Sequence, residues 1–202
     1  MSFKSVEIFE KTISNFFGAP YGIAVDCCTH GIELCLRYTD ADRMVVPTRT
    51  YPSIPMLCDK LNITRLWKQE PWEEFYNVTN RIIDAAVLWK KDSYIPGQFL
   101  VLSFQHKKHL SLGRGGMILT DNPSAYQALK KMSYDGRNLF SNKPWSDQNI
   151  DTIGYHYYMT PETATQGIHK FSDAICTEPK IWSYKDYPDL SKFKVFKNDF
   201  RS

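Results

Sequence analysis

The chain has 202 residues, of which 43% are hydrophobic, and its formal net charge at pH 7 is +3. This length suffices for one substantial hydrophobic core but is short for two full domains. The small charge does not indicate a nucleic-acid-binding face, and no apolar run reaches the roughly 18 residues of a transmembrane helix.

The amino-terminal residues MSFKSVEIFEKTISNFF predict an amphipathic helix rather than a signal peptide, because they lack an apolar stretch and a small-residue cleavage site. The cysteines number five, an odd count, and form no C-x-x-C pair. We therefore expect reduced thiols in a cytoplasmic protein, with no disulfide framework and no metal site. Neither a nucleic acid nor a membrane is an expected partner.

Helices and strands are predicted to alternate along the chain. The i, i+4, i+7 spacing of Phe9, Ile13 and Phe16 is typical of a helix, which Gly18 and Pro20 end. The predicted elements in chain order are a helix over 4–17, a strand over 21–27, a helix over 29–38, a strand over 42–48, a helix from Pro52, strands within 63–68, 80–88, 97–104 and 115–121, a helix opened by Asn122 and Pro123, a polar loop over 137–150, and a helix that begins near the TPET segment at 160–163.

Strands separated by helices of about 10 to 15 residues predict an α/β fold, with a mostly parallel sheet flanked by helices. In such sheets ligands bind beyond the carboxyl ends of the strands. We therefore expect 27–31, 50–51, Asp84 and 103–108 to converge at one edge. Beyond Cys176 the sequence has no clear periodicity and could form a packed arm or a partly ordered end.

A lysine, a carboxylate and a helix N-terminus at one sheet edge are the groups that a pyridoxal phosphate enzyme needs. The lysine forms the Schiff base, the carboxylate keeps the pyridine nitrogen protonated, and the helix N-terminus binds the phosphate. Lys108 and Asp84 are the candidates for the first two roles.

The spacing of motifs resembles the DegT/DnrJ/EryC1/StrS family of sugar aminotransferases, which belong to the fold-type I pyridoxal phosphate enzymes. In this family a Ser-Phe pair precedes the Schiff-base lysine by a three-residue spacer, and a Gly-Gly pair follows it. Here the spacing selects Lys108 over Lys107 from both sides. The matching segments are Ser103-Phe104, Gly115-Gly116, Asp84-Ala85-Ala86, Thr50-Tyr51, Thr29-His30-Gly31 and GYHYYM at 154–159.

The resemblance implies a role for each matching residue. Lys108 would be the catalytic lysine, and Asp84 would meet the pyridine nitrogen. The other implied cofactor contacts are Tyr51, which would stack on the ring, Ser103, Thr29, His30 and Gly31, which would bind the phosphate, and His156, which would reach the site of a neighbouring subunit.

Each of these residues also has an ordinary structural alternative. Lys108 could be a solvated loop lysine, and Asp84 could cap a strand end. The remaining alternatives are a core aromatic for Tyr51, a turn-capping hydroxyl for Ser103, a helix N-cap for Thr29, His30 and Gly31, and a surface histidine for His156.

The sequence departs from the family pattern in length and at single positions. Roughly 35 residues, about one strand and one helix, are missing between the segments ITRLWKQEPW and RIIDAA. Val87 and Arg114 stand where relatives carry a polar residue and an acid. We expect a pyridoxal-phosphate-binding large domain over 1–176, and a tail over 177–202 in place of the small C-terminal domain.

The resemblance implies transfer of an amino group, with glutamate as the expected donor, to a keto-sugar nucleotide in amino-sugar or surface polysaccharide biosynthesis. It also implies a homodimer with shared active sites. Two alternatives stay open: a degenerate cofactor-binding relative that serves as an interaction or regulatory protein, and an enzyme of the same class with a small non-nucleotide substrate.

Overall fold

Helices and strands alternate as predicted in the computed structural model, which describes residues 3–139 and 141–197. The elements are α1 (Lys4–Phe17), β1 (Tyr21–Val25), α2 (Cys28–Tyr38), β2 (Arg43–Pro47), α3 (Ser53–Leu61), β3 (Thr64–Lys68), β4 (Tyr76–Asn77), β5 (Ile82–Asp84), β6 (Phe99–Ser103), β7 (Gly116–Thr120), α4 (Pro123–Ser133), α5 (Pro161–Ile175) and α6 (Lys194–Lys197). Among these described residues no helix has the length and apolar character needed to cross a membrane.

The main sheet is mixed and has the strand order β1-β7-β6-β5-β4. β5 and β6 are parallel, whereas β7 is antiparallel to both β6 and β1, and β4 is antiparallel to β5. The predicted α/β fold is confirmed, but antiparallel pairs make the sheet less parallel than predicted. Because β1, β5 and β6 still run in one direction, their carboxyl ends meet at one edge, as predicted.

A short hairpin occupies the interval in which the resemblance predicts that a strand and a helix are missing. β2 and β3 form a separate two-stranded parallel sheet. Beside it, the Val45 N–H donates to the Val78 carbonyl at 2.8 Å, and the Val78 N–H donates to the Ile82 carbonyl at 2.9 Å. The hairpin that contains β4 therefore connects the small sheet to β5. The sequence does not predict β4.

Apolar side chains cover both faces of the main sheet. One cluster contains Phe9, Ile13 and Phe17 of α1 with side chains from the strands, and the other packs α2 and α4 against the opposite face. α2 lies so close to the sheet that a Cβ atom at Gly31 would be 2.8 Å from Cγ1 of Val101. This close contact fixes the start of α2 relative to the strand ends.

One ion pair is buried between α1 and α4. The Glu10 carboxylate is 4% exposed and accepts hydrogen bonds from Nζ of Lys130 at 2.6 and 2.9 Å. It also accepts one from the Ala24 N–H at 2.7 Å, which ties both helices to β1.

The described part of the tail, residues 177–197, packs as an arm beside the small sheet. The Tyr184 N–H donates to the Trp72 carbonyl at 3.0 Å, and the Leu190 N–H donates to the Thr48 carbonyl at 2.7 Å. Leu190 and Phe196 are buried. These contacts place the tail next to the segment that follows β2.

Candidate active site

A cavity of about 390 Å³ opens at the edge where β1, β5 and β6 end. Its wall combines the start of α2, the turn before α3, the loop after β6, the hairpin segment and the tail. The lining residues that the sequence analysis predicts for the site are Thr29, Tyr51, Asp84, Ser103 and Lys108.

The loop after β6 directs Lys108 toward the cavity and Lys107 toward solvent. Lys108 is half-buried, whereas Lys107 is exposed. The turn is fixed because the Lys108 N–H donates to the Gln105 carbonyl at 2.8 Å. Gly113, at φ +79°, supplies a left-handed residue later in the same loop. The two adjacent lysines therefore have different environments.

Burial lowers the pKa of the Lys108 ammonium group, and the neighbouring charge of Lys107 lowers it further, against the opposing effects of Cys28 and Asp84. A lowered pKa increases the fraction of free amine near neutral pH, and the free amine is the form that attacks a carbonyl carbon.

Asp84 ends β5 at the bottom of the cavity and is 4% exposed. Its Oδ2 atom accepts a hydrogen bond from the Tyr76 hydroxyl at 2.5 Å, and its Oδ1 atom accepts one from the Ala86 N–H at 3.0 Å. Burial raises the pKa of this carboxyl, although these hydrogen bonds and the charge of Lys108 oppose the rise. A carboxylate here is poised to hold a cationic partner.

Hydroxyl groups and a helix N-terminus form another part of the wall. Cys28 and Thr29 open α2, whose first N–H groups have no acceptor within the helix and carry a partial positive charge. The Thr29 hydroxyl lies 2.7 Å from the Ser53 hydroxyl, and Ser103 also lines the cavity. Such a set suits an anionic group.

Tyr51 supplies an aromatic face on the open side of the cavity. The residue is 54% exposed although its ring lines the site. The preceding residue, Thr50, is buried and lies 2.5 Å from the Tyr76 hydroxyl through its own hydroxyl oxygen. Both residues line the cavity, Thr50 from a buried position and Tyr51 from an exposed one.

The residues His30, Gly31 and His156 do not line the cavity. The His30 ring stacks on Tyr157 with centroids 3.7 Å apart, and Gly31 is buried against the sheet. His156 is exposed, with Nδ1 3.0 Å from Asp135.

Arg114, which stands where relatives carry an acid, has a partner in this structure. Its guanidinium donates to Oδ2 of Asp26 at 2.7 Å, while Oδ1 of Asp26 lies 2.7 Å from Nδ1 of His30. Burial raises the pKa of Asp26, but the hydrogen bonds from His30 and Arg114 outweigh it and hold the pKa below its ordinary value. Arg114 thus brings a cation to the cavity wall without leaving a charge uncompensated.

Asp26, Cys27 and His30 also have ligand atoms within 4.8 Å of one another, a spacing that a metal ion could use. Both carboxylate oxygens of Asp26 are already engaged with His30 and Arg114.

The His30–Asp26 pair is expected to make the protein less stable as the pH becomes alkaline. Burial lowers the pKa of His30, but hydrogen bonds with Asp26 and Cys27 raise it to about 9. An unfolded histidine titrates near about 6.5, so the contribution is complete below that pH and is lost as pH rises through about 9. We expect a loss on the order of 1 kcal/mol after solvent screening.

Urea unfolding at pH 6 and pH 9.5 tests this dependence. His30→Gln should show a smaller decrease between the two pH values than the wild type. The matched control is His169→Gln, an exposed position in α5, which should keep the wild-type decrease. An unchanged pH dependence in His30→Gln would contradict the assignment.

Several lining residues are absent from the sequence-based prediction. Trp72 and Tyr76 belong to the segment around β4, and Tyr187 belongs to the tail. The aromatic content of the 67–76 segment was the only sequence signal for the first two. Nothing in the periodicity of the tail indicates that Tyr187 returns to the site.

The described side chains fit pyridoxal phosphate. The cavity brings together a primary amine with a lowered pKa, a buried carboxylate and an exposed aromatic ring. The hydroxyls of Thr29, at the start of α2, and of Ser103, at the end of β6, line the same space. This donor set matches the carbonyl, the ring nitrogen, the ring face and the phosphate of that cofactor.

Comparisons with known proteins agree with this chemistry. The model of the DegT/DnrJ/EryC1/StrS aminotransferase family matches residues 1–63 and 95–176. The interval 64–94 contains Tyr76 and Asp84, so the placement of Asp84 in the cavity rests on the structure rather than on this match.

The fold is that of fold-type I sugar aminotransferases, as the resemblance predicted. AtS13 from Actinomadura melliaura superimposes with a TM-score of 0.71 at 18% identity, over 86% of this chain and 61% of AtS13. PseC from Helicobacter pylori, an aminotransferase involved in the biosynthesis of pseudoaminic acid, gives 0.73 at 10% identity, over 98% of this chain and 81% of PseC.

Sequence similarity extends to the protein MJ1066 from Methanocaldococcus jannaschii, which is uncharacterized. The two are 22% identical over an alignment that covers 82% of this chain and 56% of MJ1066. The chain thus spans little more than half the length of MJ1066 and about three fifths of AtS13. Because the family model matches well over half of its residues, the chain belongs to the DegT/DnrJ/EryC1/StrS aminotransferase family.

Proposed function

We propose that this chain is a pyridoxal phosphate-dependent aminotransferase that moves an amino group from glutamate to a keto-sugar nucleotide. The observation that carries the proposal is the convergence of Lys108, Asp84 and the start of α2 on one cavity. The family depends on pyridoxal phosphate, and its solved relatives include sugar aminotransferases.

Five side chains would hold the cofactor. Lys108 would bind its carbonyl carbon, Asp84 its ring nitrogen and Tyr51 its ring face, while Thr29 and Ser103 would bind the phosphate with the N–H groups that open α2. When bound, pyridoxal phosphate supplies an electron sink for the carbanion formed at the α-carbon of the donor.

Lys108 would act as the general base and acid. Its Nζ atom would take the proton from the α-carbon of the amino donor and deliver it to the cofactor. The pKa of Lys108 is lowered by burial, which supports this role because the unprotonated amine is the base. Asp84 would stay ionised and keep the ring nitrogen protonated.

His30 and Gly31 would act on the cofactor indirectly. His30 would position Asp26 and Arg114, and Gly31 would let α2 lie close to the sheet. His156, on the exposed GYHYYM segment, would reach the site of the second subunit in a homodimer.

The acceptor would occupy the outer part of the cavity, beside Trp72 and Tyr187. In this proposal residues 1–176 form the cofactor-binding unit and the tail adds Tyr187 to its wall. The product would enter amino-sugar or surface polysaccharide biosynthesis in the cytoplasm. An enzyme whose small acceptor carries no nucleotide is the alternative within the same class, because the cofactor chemistry would be unchanged.

A transamination assay with glutamate and a panel of nucleotide-linked and free keto-sugars tests this function. The proposal expects conversion of glutamate to 2-oxoglutarate that depends on one of the acceptors and on added cofactor. Cofactor binding without transfer to nucleotide-linked or free keto-sugars would instead favour the non-enzymatic alternative, a cofactor-binding relative that serves interaction or regulation.

A further inference from the structure

The β4 hairpin brings Tyr76 directly opposite Asp84. The two residues are paired in the antiparallel register of β4 and β5, so their side chains lie on the same face. Tyr76 belongs to the interval 64–94, which the family model does not match. The contact between these side chains therefore rests on the structure rather than on the family match.

The hydrogen bonds around the Tyr76 hydroxyl have a defined direction. An ionised carboxylate can only accept, so Tyr76 donates its single proton to Oδ2 of Asp84 at 2.5 Å. The Thr50 hydroxyl, 2.5 Å from the same tyrosine oxygen, must then be the donor to Tyr76. Burial raises the pKa of the Tyr76 hydroxyl well above its ordinary value, with Asp84 adding to the rise, so this donor keeps its proton.

We propose that Tyr76 is a positioning residue for the proton that Asp84 shares with the pyridine nitrogen of bound pyridoxal phosphate. By donating a hydrogen bond to Asp84, the Tyr76 hydroxyl keeps this proton on the nitrogen. This inference rests on the proposed function, since it concerns the same cofactor site. One proton and two acceptors are involved: without the Tyr76 hydroxyl, the proton moves from the ring nitrogen to a carboxylate oxygen of Asp84, and no other bond changes.

The environment of Asp84 supports this role. The side chain is buried, which favours its neutral form, and Tyr76 heads the hydrogen bonds that oppose this effect. The Ala86 N–H engages the other oxygen, so the carboxylate plane is fixed from both sides. Removing one donor in a buried site shifts the balance toward the protonated acid.

Tyr76→Phe tests the proposal, because it removes the hydroxyl and keeps the ring. With cofactor labelled with ¹⁵N in the ring, the nitrogen resonance of the variant should move from the protonated pyridine position toward the neutral one. The Kd for pyridoxal phosphate should rise about tenfold, as expected for losing a hydrogen bond to a charged group. The Kd for the analogue that carries CH in place of the ring nitrogen should change by less than about twofold, because Asp84 has no proton to share with it.

Two further variants complete the experiment. Tyr94→Phe is the matched control, because it also removes a tyrosine hydroxyl that donates to an oxygen, the Gln98 carbonyl at 2.9 Å, away from the cavity lining. It should leave both Kd values and the nitrogen resonance unchanged. Thr50→Val should shift the resonance in the same direction as Tyr76→Phe but less, and it tests the chain of donors independently if Tyr76→Phe does not fold.

The outcomes separate this inference from the proposed function. Wild-type protein that binds no pyridoxal phosphate would overturn both. Wild-type protein that binds it, with an unshifted nitrogen resonance in Tyr76→Phe or an equal loss of affinity for cofactor and analogue, would overturn the role of Tyr76 alone.

Discussion

Replacing Lys108 with alanine is expected to lower amino transfer by at least about a thousandfold, because general acid–base catalysis by one side chain contributes about 10²–10⁴-fold and the covalent attachment is lost as well. The same change should abolish the visible absorbance that appears when the cofactor bonds to the enzyme. Steady-state rates and absorbance spectra of wild type and variant with saturating cofactor measure both effects.

Lys107→Ala is the matched control for this prediction. The neighbouring lysine has the same chemistry but is exposed, so its loss should leave the rate within about threefold of wild type. Equal losses in the two variants would show that the loop contributes general positive charge rather than one reactive amine.

Replacing Lys130 with methionine is expected to lower the free energy of unfolding by about 3–5 kcal/mol. Among the residues that the structure describes, the change leaves the buried Glu10 carboxylate with the Ala24 N–H as its remaining partner, and an uncompensated buried charge costs about this amount. Urea unfolding at pH 7 measures the loss.

The pH dependence of this variant has a definite sign. Burial already raises the pKa of Glu10 when Lys130 is present, and losing Lys130 raises it further. The native state then binds a proton more tightly than the unfolded chain, so the destabilisation should decrease as the pH falls toward 5.

Two comparisons control the prediction for Lys130. Lys131→Met removes the adjacent lysine, whose Nζ lies 2.9 Å from Oδ1 of the exposed Asp151. This change should lower the free energy of unfolding by no more than about 1 kcal/mol. Glu10→Leu combined with Lys130→Met should regain most of the lost stability, because both charges of this buried pair are then removed together. A loss for Lys130→Met as small as that for Lys131→Met would contradict a stabilising role of the pair.

The sequence was sufficient to predict the α/β fold and the convergence of the strand ends. Residue periodicity located α1, and the Asn122-Pro123 signal located the start of α4, because both depend on local interactions. The relative direction of strands depends on long-range pairing, and so the antiparallel position of β7 was not predictable from local pattern. The carboxyl ends of β1, β5 and β6 still meet at one edge because these three strands run in the same direction.

The candidate site was predictable where one residue type and one spacing determine a role. Lys108 could be distinguished from Lys107 by the number of residues that separate it from Ser103 and Gly115 in the sequence. The structure places Lys108 in the cavity wall. Tyr76 and Tyr187 were not predictable, because no local pattern indicates that the hairpin around β4 or the tail reaches the cavity. His156 lies outside the cavity of this single chain, and its role in a homodimer stays a proposal.

In the proposed function, Lys108 is the amine that binds the cofactor. Reducing the protein with borohydride in the presence of pyridoxal phosphate, followed by mass spectrometry of its peptides, identifies the attached residue. We expect one equivalent of cofactor per chain on Lys108 and none on Lys107. Attachment at Lys107, or equal labelling of both lysines and other exposed lysines, would contradict it.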